Sequence, residues 1–150
     1  MACAPYTPTM AHEHTFEIME HTADVGVLGR GKTMSEAFEN AAYGMFSVMA
    51  DLGNYSPTRK TTVEAAGDDS ISLLQRFLSS LIVLFEADGV LPLDFNITEL
   101  GRDFLKCEVS VRPVADDIEW LGPQIKAVTY HQMAVEEEDG KWRAQAILDV

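Results

Sequence analysis

Ile71, Leu73, Leu74, Phe77, Leu78, Leu81, Ile82, Leu84 and Phe85 place apolar side chains around most of one helical circumference. A stripe of ordinary width faces a single neighbour, whereas a face this wide implies a helix covered on most sides. The rest of the chain must therefore supply layers to cover it, and this helix is the expected centre of the core. It begins at Gly67-Asp68-Asp69, where aspartate caps free amides and opposes the helix dipole. Asp88-Gly89 ends it. Its densest run, residues 77–85, includes Ser79 and Ser80 and is far too short to span a bilayer.

The covering layers can be read on either side. Residues 16–19 and 25–28 are short strands, the second ending at Gly29-Arg30-Gly31. Thr33-Met34-Ser35-Glu36 forms a capping box, in which the Thr33 hydroxyl accepts from the Glu36 amide and Glu36 reaches back. Phe38, Ala41, Ala42, Met45, Phe46 and Met49 then recur at helical spacing. Residues 60–66 alternate as a strand. Residues 95–100 and 104–111 flank Gly101-Arg102-Asp103 as a hairpin, and residues 125–135 and 142–148 form a second one around the acidic tip 136–140. The order β, β, α, β, α, β, β, β, β predicts an α+β fold: two helices packed on a mostly antiparallel sheet, a single-domain layered sandwich over 14–150. Residues 1–13, with Pro5 and Pro8 and no periodicity, read as a flexible leader.

The chain carries 24 acids against 11 bases, a net charge of −13. Such a surface repels phosphate backbones, so direct strong nucleic-acid binding is not expected. It suits a cation or a basic protein partner, and solubility alone also favours it. Cys3 and Cys107 form no C-x-x-C pair, which fits reduced thiols in a cytoplasmic compartment, or a nuclear one in a eukaryote. Cys107 reads as a core filler. No basic-then-apolar secretory pattern opens the chain, and no membrane association is expected.

Candidate site residues are few. His21-Thr22-Ala23-Asp24 offers an imidazole and a carboxylate in one turn, although a turn hydrogen bond by Asp24 is the commoner use of such a sequence. Asp149-Val150 follows directly on an apolar strand and offers a carboxylate and main-chain oxygens. An all-oxygen set points to Ca²⁺, Mg²⁺ or Mn²⁺ ahead of Zn²⁺ or Cu. Spacing does not show that Asp24 and Asp149 meet. His12-Glu13-His14 has strand spacing for a metal but adjoins the leader, and residues 136–139 read as a solvated loop. Lys126 and Thr129 place a cation and a hydroxyl just ahead of the last hairpin. The common nucleotide-binding, hydrolase and zinc-protease signatures are missing, which favours a helper over a stand-alone enzyme.

Phe16-Glu17-Ile18-Met19-Glu20-His21-Thr22-Ala23-Asp24, Gly31-Lys32-Thr33 before Glu36-Ala37-Phe38, Gly67-Asp68-Asp69, Ile125-Lys126-Ala127-Val128-Thr129-Tyr130 and Asp149-Val150 stand in one order. In that order they resemble the archease family from Phe16 onward. The resemblance implies a non-catalytic activator of the GTP-dependent RNA ligase that joins 2′,3′-cyclic phosphate and 5′-hydroxyl ends in tRNA splicing. It implies promotion of the ligase's histidine guanylylation and of its multiple turnover. It further implies a divalent cation, usually Ca²⁺, held by Asp24, Asp149 and Val150, with His21, Lys126 and Thr129 at the rim. Two other readings stay open: a small acidic chaperone-like binding protein, and a metal-dependent phosphoesterase using Asp24 and His21.

Overall fold

A computed structural model describes residues 14–20 and 24–150. The expectations for the leader, for His12 and Glu13 and for His21 lie outside these residues. The fold is α+β, in the expected order of elements: β1 (Phe16–Glu20), β2 (Asp24–Gly31), α1 (Met34–Ser47), β3 (Arg59–Ala66), α2 (Ser70–Asp88), β4 (Val90–Leu100), β5 (Phe104–Pro113), β6 (Ala127–Glu138) and β7 (Lys141–Asp149). The strands divide between two antiparallel sheets, one ordered β1-β2-β7-β6 and the other β3-β5-β4.

Both helices touch both sheets, and α2 packs against α1 and four strands, β3 to β6. Leu73, Leu74, Phe77, Leu78 and Leu81 are wholly buried, as the wide apolar face requires. Ile71 and Val83 face outward, at 37% and 60% exposure. By length and composition α2 could cross a membrane, but its Leu and Phe residues are spent on this core. Phe46 joins the layers, its ring 6.1 Å from Phe85 and 6.2 Å from Phe95.

Helix α1 lies antiparallel to β2 at very short range. A Cβ on Gly29 would fall 2.3 Å from the Ala41 amide nitrogen, so only glycine fits there. Gly31 sits beside Glu36 and Ala37, and Val27 beside Gly44, so the C-terminal end of α1 lies at the Asp24 end of β2.

Several local details differ from expectation. Glu36 does reach back from the first turn of α1, but its carboxylate accepts from the Lys32 amide at 2.8 Å, one residue before the Thr33 cap. In α2 the capping box is complete: the Asp69 carboxylate accepts from the Ser72 amide at 2.8 Å, and the Ser72 hydroxyl accepts from the Asp69 amide at 3.1 Å. Strand β4 starts at Val90, five residues before the expected Phe95. Pro92 argues against a strand interior, but β4 is an edge strand and its register shifts between Pro92 and Asp94, where a missing amide costs little. Glu136, Glu137 and Glu138 belong to β6, where the sequence reading had a loop. The turn is only Asp139-Gly140, with φ of 56° and 76°, a primed two-residue hairpin.

Candidate metal centre

Strand β7 lies between β2 and β6, and this position builds the site. In register, Asp24 stands opposite Asp149, which stands opposite Ala127 on its other side. Residues opposed across neighbouring strands project from the same face. The adjacent positions Leu148 and Ala146 are fully buried under the helices. Alternation therefore turns Asp149 and Asp24 to the other face of the sheet. Two segments more than a hundred residues apart thus bring two carboxylates side by side, which spacing alone did not show.

Like charges directly opposite each other destabilise a sheet unless something between them compensates. Asp149 is exposed, whereas the Asp24 Oδ1 is shut off from solvent and has no hydrogen-bond partner among the described residues. A buried acceptor left without a donor is rare and costly. The sheet beside it is apolar: Ile147 is 3% exposed, and a Cβ on Gly26 would meet the Met19 side chain at 2.9 Å and Ile147 at 3.3 Å. Low polarity on that side strengthens attraction for any cation bridging the two carboxylates. The donors are hard oxygens, and this chemistry fits Ca²⁺, Mg²⁺ or Mn²⁺.

Among the described residues no cluster of three or more His, Cys, Asp or Glu side chains could hold a metal. The two carboxylates would therefore need main-chain oxygens or water to complete a coordination shell. Val150 packs partly buried against the core, directly after Asp149. Lys126 is exposed, and its amide donates to the Asp149 carbonyl at 2.8 Å, which brings it to the rim. Thr129 pairs with Ile147, two residues along the face of Asp149, and its hydroxyl accepts from the His131 amide at 3.1 Å.

The other sequence candidates are structural. His14 stacks on Tyr43 with ring centroids 3.6 Å apart and sits 3.3 Å from Asn40 Oδ1. Asp69 caps α2, and hydrogen bonds from Ser72 hold its carboxyl below the usual range. Cys107 is fully buried, and burial pushes its thiol up to about 12. Two features escaped the sequence reading. Between Thr129 and Ala134 strand β6 bulges, with Gln132 at φ 54° and its carbonyl accepting from Gln145 at 2.8 Å. No glycine or proline marks that bulge. Exposed Val114, Trp120 and Leu121 gather on the link between β5 and β6.

Residues 16–150 match the archease protein family. Protein archease of Methanosarcina acetivorans is 36% identical over 141 residues, covering 90% of this chain and 95% of the relative. That of Thermococcus gammatolerans is 37% identical over 139 residues, covering 90% and 98%. The solution structure of Methanobacterium thermoautotrophicum protein 1598 superposes with a TM-score of 0.78 at 32% identity, covering 90% of this chain and 98% of that one. A Thermotoga maritima archease, described as a possible chaperone, shares the fold at a TM-score of 0.57 and 19% identity, with 93% and 100% covered.

Proposed function

Because this chain belongs to the archease family, we propose that it is a non-catalytic, cation-binding activator of the GTP-dependent RNA ligase of tRNA splicing. In this reading Asp24 and Asp149, with a main-chain oxygen of Val150, grip a divalent ion, most readily Ca²⁺. The supporting observation is the Asp24–Asp149 pair on adjacent strands, with one buried carboxylate oxygen lacking a partner among the described residues. When bound, such an ion supplies positive charge to phosphate oxygens at a nucleotidyl-transfer centre. The chain's own part is to hold the two carboxylates in register, to keep water from the Asp24 side, and to present the rim with Lys126 and Thr129. Ligase guanylylation and turnover are the activities assisted, in a reducing, cytoplasmic setting that suits the free buried Cys107.

The test is ligase self-guanylylation and multiple-turnover joining with wild type, Asp24→Asn, Asp149→Asn and a chain extended past Val150. Strong stimulation by wild type and little by the three variants is expected. Equal stimulation by all four removes the cation-site assignment. Hydrolysis of a phosphoester by this protein without ligase would favour the phosphoesterase reading. Suppression of ligase aggregation, unchanged by Asp24→Asn, would favour the chaperone-like one.

A further inference from the structure

The loop of residues 114–126 holds apolar side chains in water by deliberate anchoring. Val114, Trp120 and Leu121 are 38%, 44% and 60% exposed. Yet the loop is pinned at several points. Arg112 grips Asp117 through two bonds of 2.7 and 2.9 Å, the Glu119 amide donates to the Tyr55 hydroxyl at 2.8 Å, and the Leu121 amide donates to the Met49 carbonyl at 2.8 Å. Trp120 meets Phe85 edge-on at 6.1 Å. Beneath it lies a hollow of about 320 Å³ lined by Met49, Phe85, Val114, Trp120, Gly122 and Gln124. Leu121 forms one wall of a second hollow, about 540 Å³, whose floor includes Phe16, Ile18 and Tyr43.

The surroundings of this surface are acidic. Asp51 lines the second hollow. Glu86 accepts from Gln124, and Asp88 precedes Gly89, whose carbonyl accepts from the Val114 amide. Asp116 and Glu119 lie on the loop itself. No salt bridge among the described residues involves any of these five carboxylates. The nearby guanidinium, Arg112, is already taken by Asp117 and lies 5.4 Å over the Tyr55 ring. Lys126 is at the far end of the loop, beside Asp149. An anchored apolar patch ringed by carboxylates that no described cation neutralises complements one chemistry, an apolar side chain flanked by cations.

We propose that the hollows around Trp120 and Leu121 dock a protein-partner segment presenting an aromatic or branched aliphatic side chain flanked by lysines or arginines. The loop leads into β6 at Ala127, directly opposite Asp149, so a segment seated here brings its protein alongside the carboxylate pair. The proposal rests on the ligase reading above, which supplies the partner's identity.

The test measures binding of the cognate GTP-dependent ligase to wild type, Trp120→Ala, Leu121→Asp and Asp24→Asn, at low and high sodium chloride. Wild-type affinity should fall with salt, and each loop variant should lose about tenfold or more, as an anchor in a hydrophobic docking site does. Trp120→Ala guards against a Leu121→Asp chain that misfolds, and thermal melts check both. Guanylylation should recover at saturating concentrations of either loop variant but not of Asp24→Asn. Wild-type affinity in both loop variants overturns the docking surface and leaves the activator reading intact. Stimulation that stays lost at saturation also overturns it, since the loop would then act after binding. Absence of ligase binding by wild type overturns the activator reading and this proposal together. A wild-type dimer dispersed by Leu121→Asp assigns the surface to a second copy and overturns the proposal.

Discussion

If Asp24 and Asp149 face each other to share a cation, then removing one charge should stabilise the protein when no cation is present. Positions opposed on neighbouring antiparallel strands hold their Cβ atoms about 5 Å apart. Two unit charges at that distance repel by about 3 kcal/mol at an effective dielectric of about 20, and by about 1 kcal/mol in water. Asp149 is exposed, so the screened end of that range applies, about 1 kcal/mol. Asp149→Asn keeps the shape and removes the repulsion. In EDTA the variant should melt about 2–4 °C above wild type for a chain of this size. In calcium the order should reverse, because an ion at about a hundredfold excess over its Kd adds about 3 kcal/mol to a protein that binds it only when folded. Differential scanning calorimetry in EDTA and in calcium reads both arms. A variant less stable than wild type in EDTA, with a wild-type Tm indifferent to calcium, would refute the reasoning.

Gly29→Ala would force a Cβ to 2.3 Å from the Ala41 nitrogen and 2.4 Å from the Ala37 carbonyl. Both are helix backbone that cannot swing aside, so urea unfolding should show a loss above about 4 kcal/mol, or no folded protein. Phe46→Ala, which strips the ring joining Phe85 and Phe95, should cost about 3–5 kcal/mol by the same measurement. The Asp69 carboxyl is held low by hydrogen bonds from Ser72. Its contribution is therefore complete above the unfolded value of about 4 and is lost as pH falls through the lower folded value. Asp69→Ala should flatten the acid limb of the urea midpoint plotted against pH; an unchanged limb would count against the cap. Cys107 has the opposite sign: burial raises its thiol from 9.0 to about 12, so its contribution is full below the lower value and disappears as pH climbs through the upper one. Iodoacetamide at mildly alkaline pH should leave Cys107 untouched in the native protein and modify it in urea, as peptide mass mapping would show.

How far the sequence carried depends on what each element owes to its neighbours in the chain. The apolar face of α2 announced its own burial, and Asp69 and Thr33 announced helix starts, because caps and stripes are local. The sequence reading started β4 at Phe95, five residues late; Pro92 lies inside the strand because β4 is an edge strand, where a missing amide does no harm, and only the sheet order reveals that. The run of glutamates gave no sign that Asp139-Gly140 alone makes the turn, although Asp-Gly is a strong hairpin signal. The facing of Asp24 and Asp149 is a matter of register between β2 and β7, and no local pattern encodes it. Resemblance to other archeases supplied the pair before geometry did. The bulge at Gln132 and the apolar loop around Trp120 depend on what lies across from them, so they became visible only in three dimensions.

The connectivity of the two sheets also sets an order of assembly. Strands β3, β4 and β5 and helix α2 form one continuous stretch, Arg59 to Pro113, whereas the larger sheet must close β2 against β7 across most of the polypeptide. Loops that long close slowly. The carboxylate pair therefore comes into being with the final zipping of the chain, and if the proposed cation site holds, a calcium ion added during refolding would bind only molecules that have finished. Pulsed hydrogen exchange should find β3 and β5 protected before β2 and β7. Cation capture would then report completion of the fold.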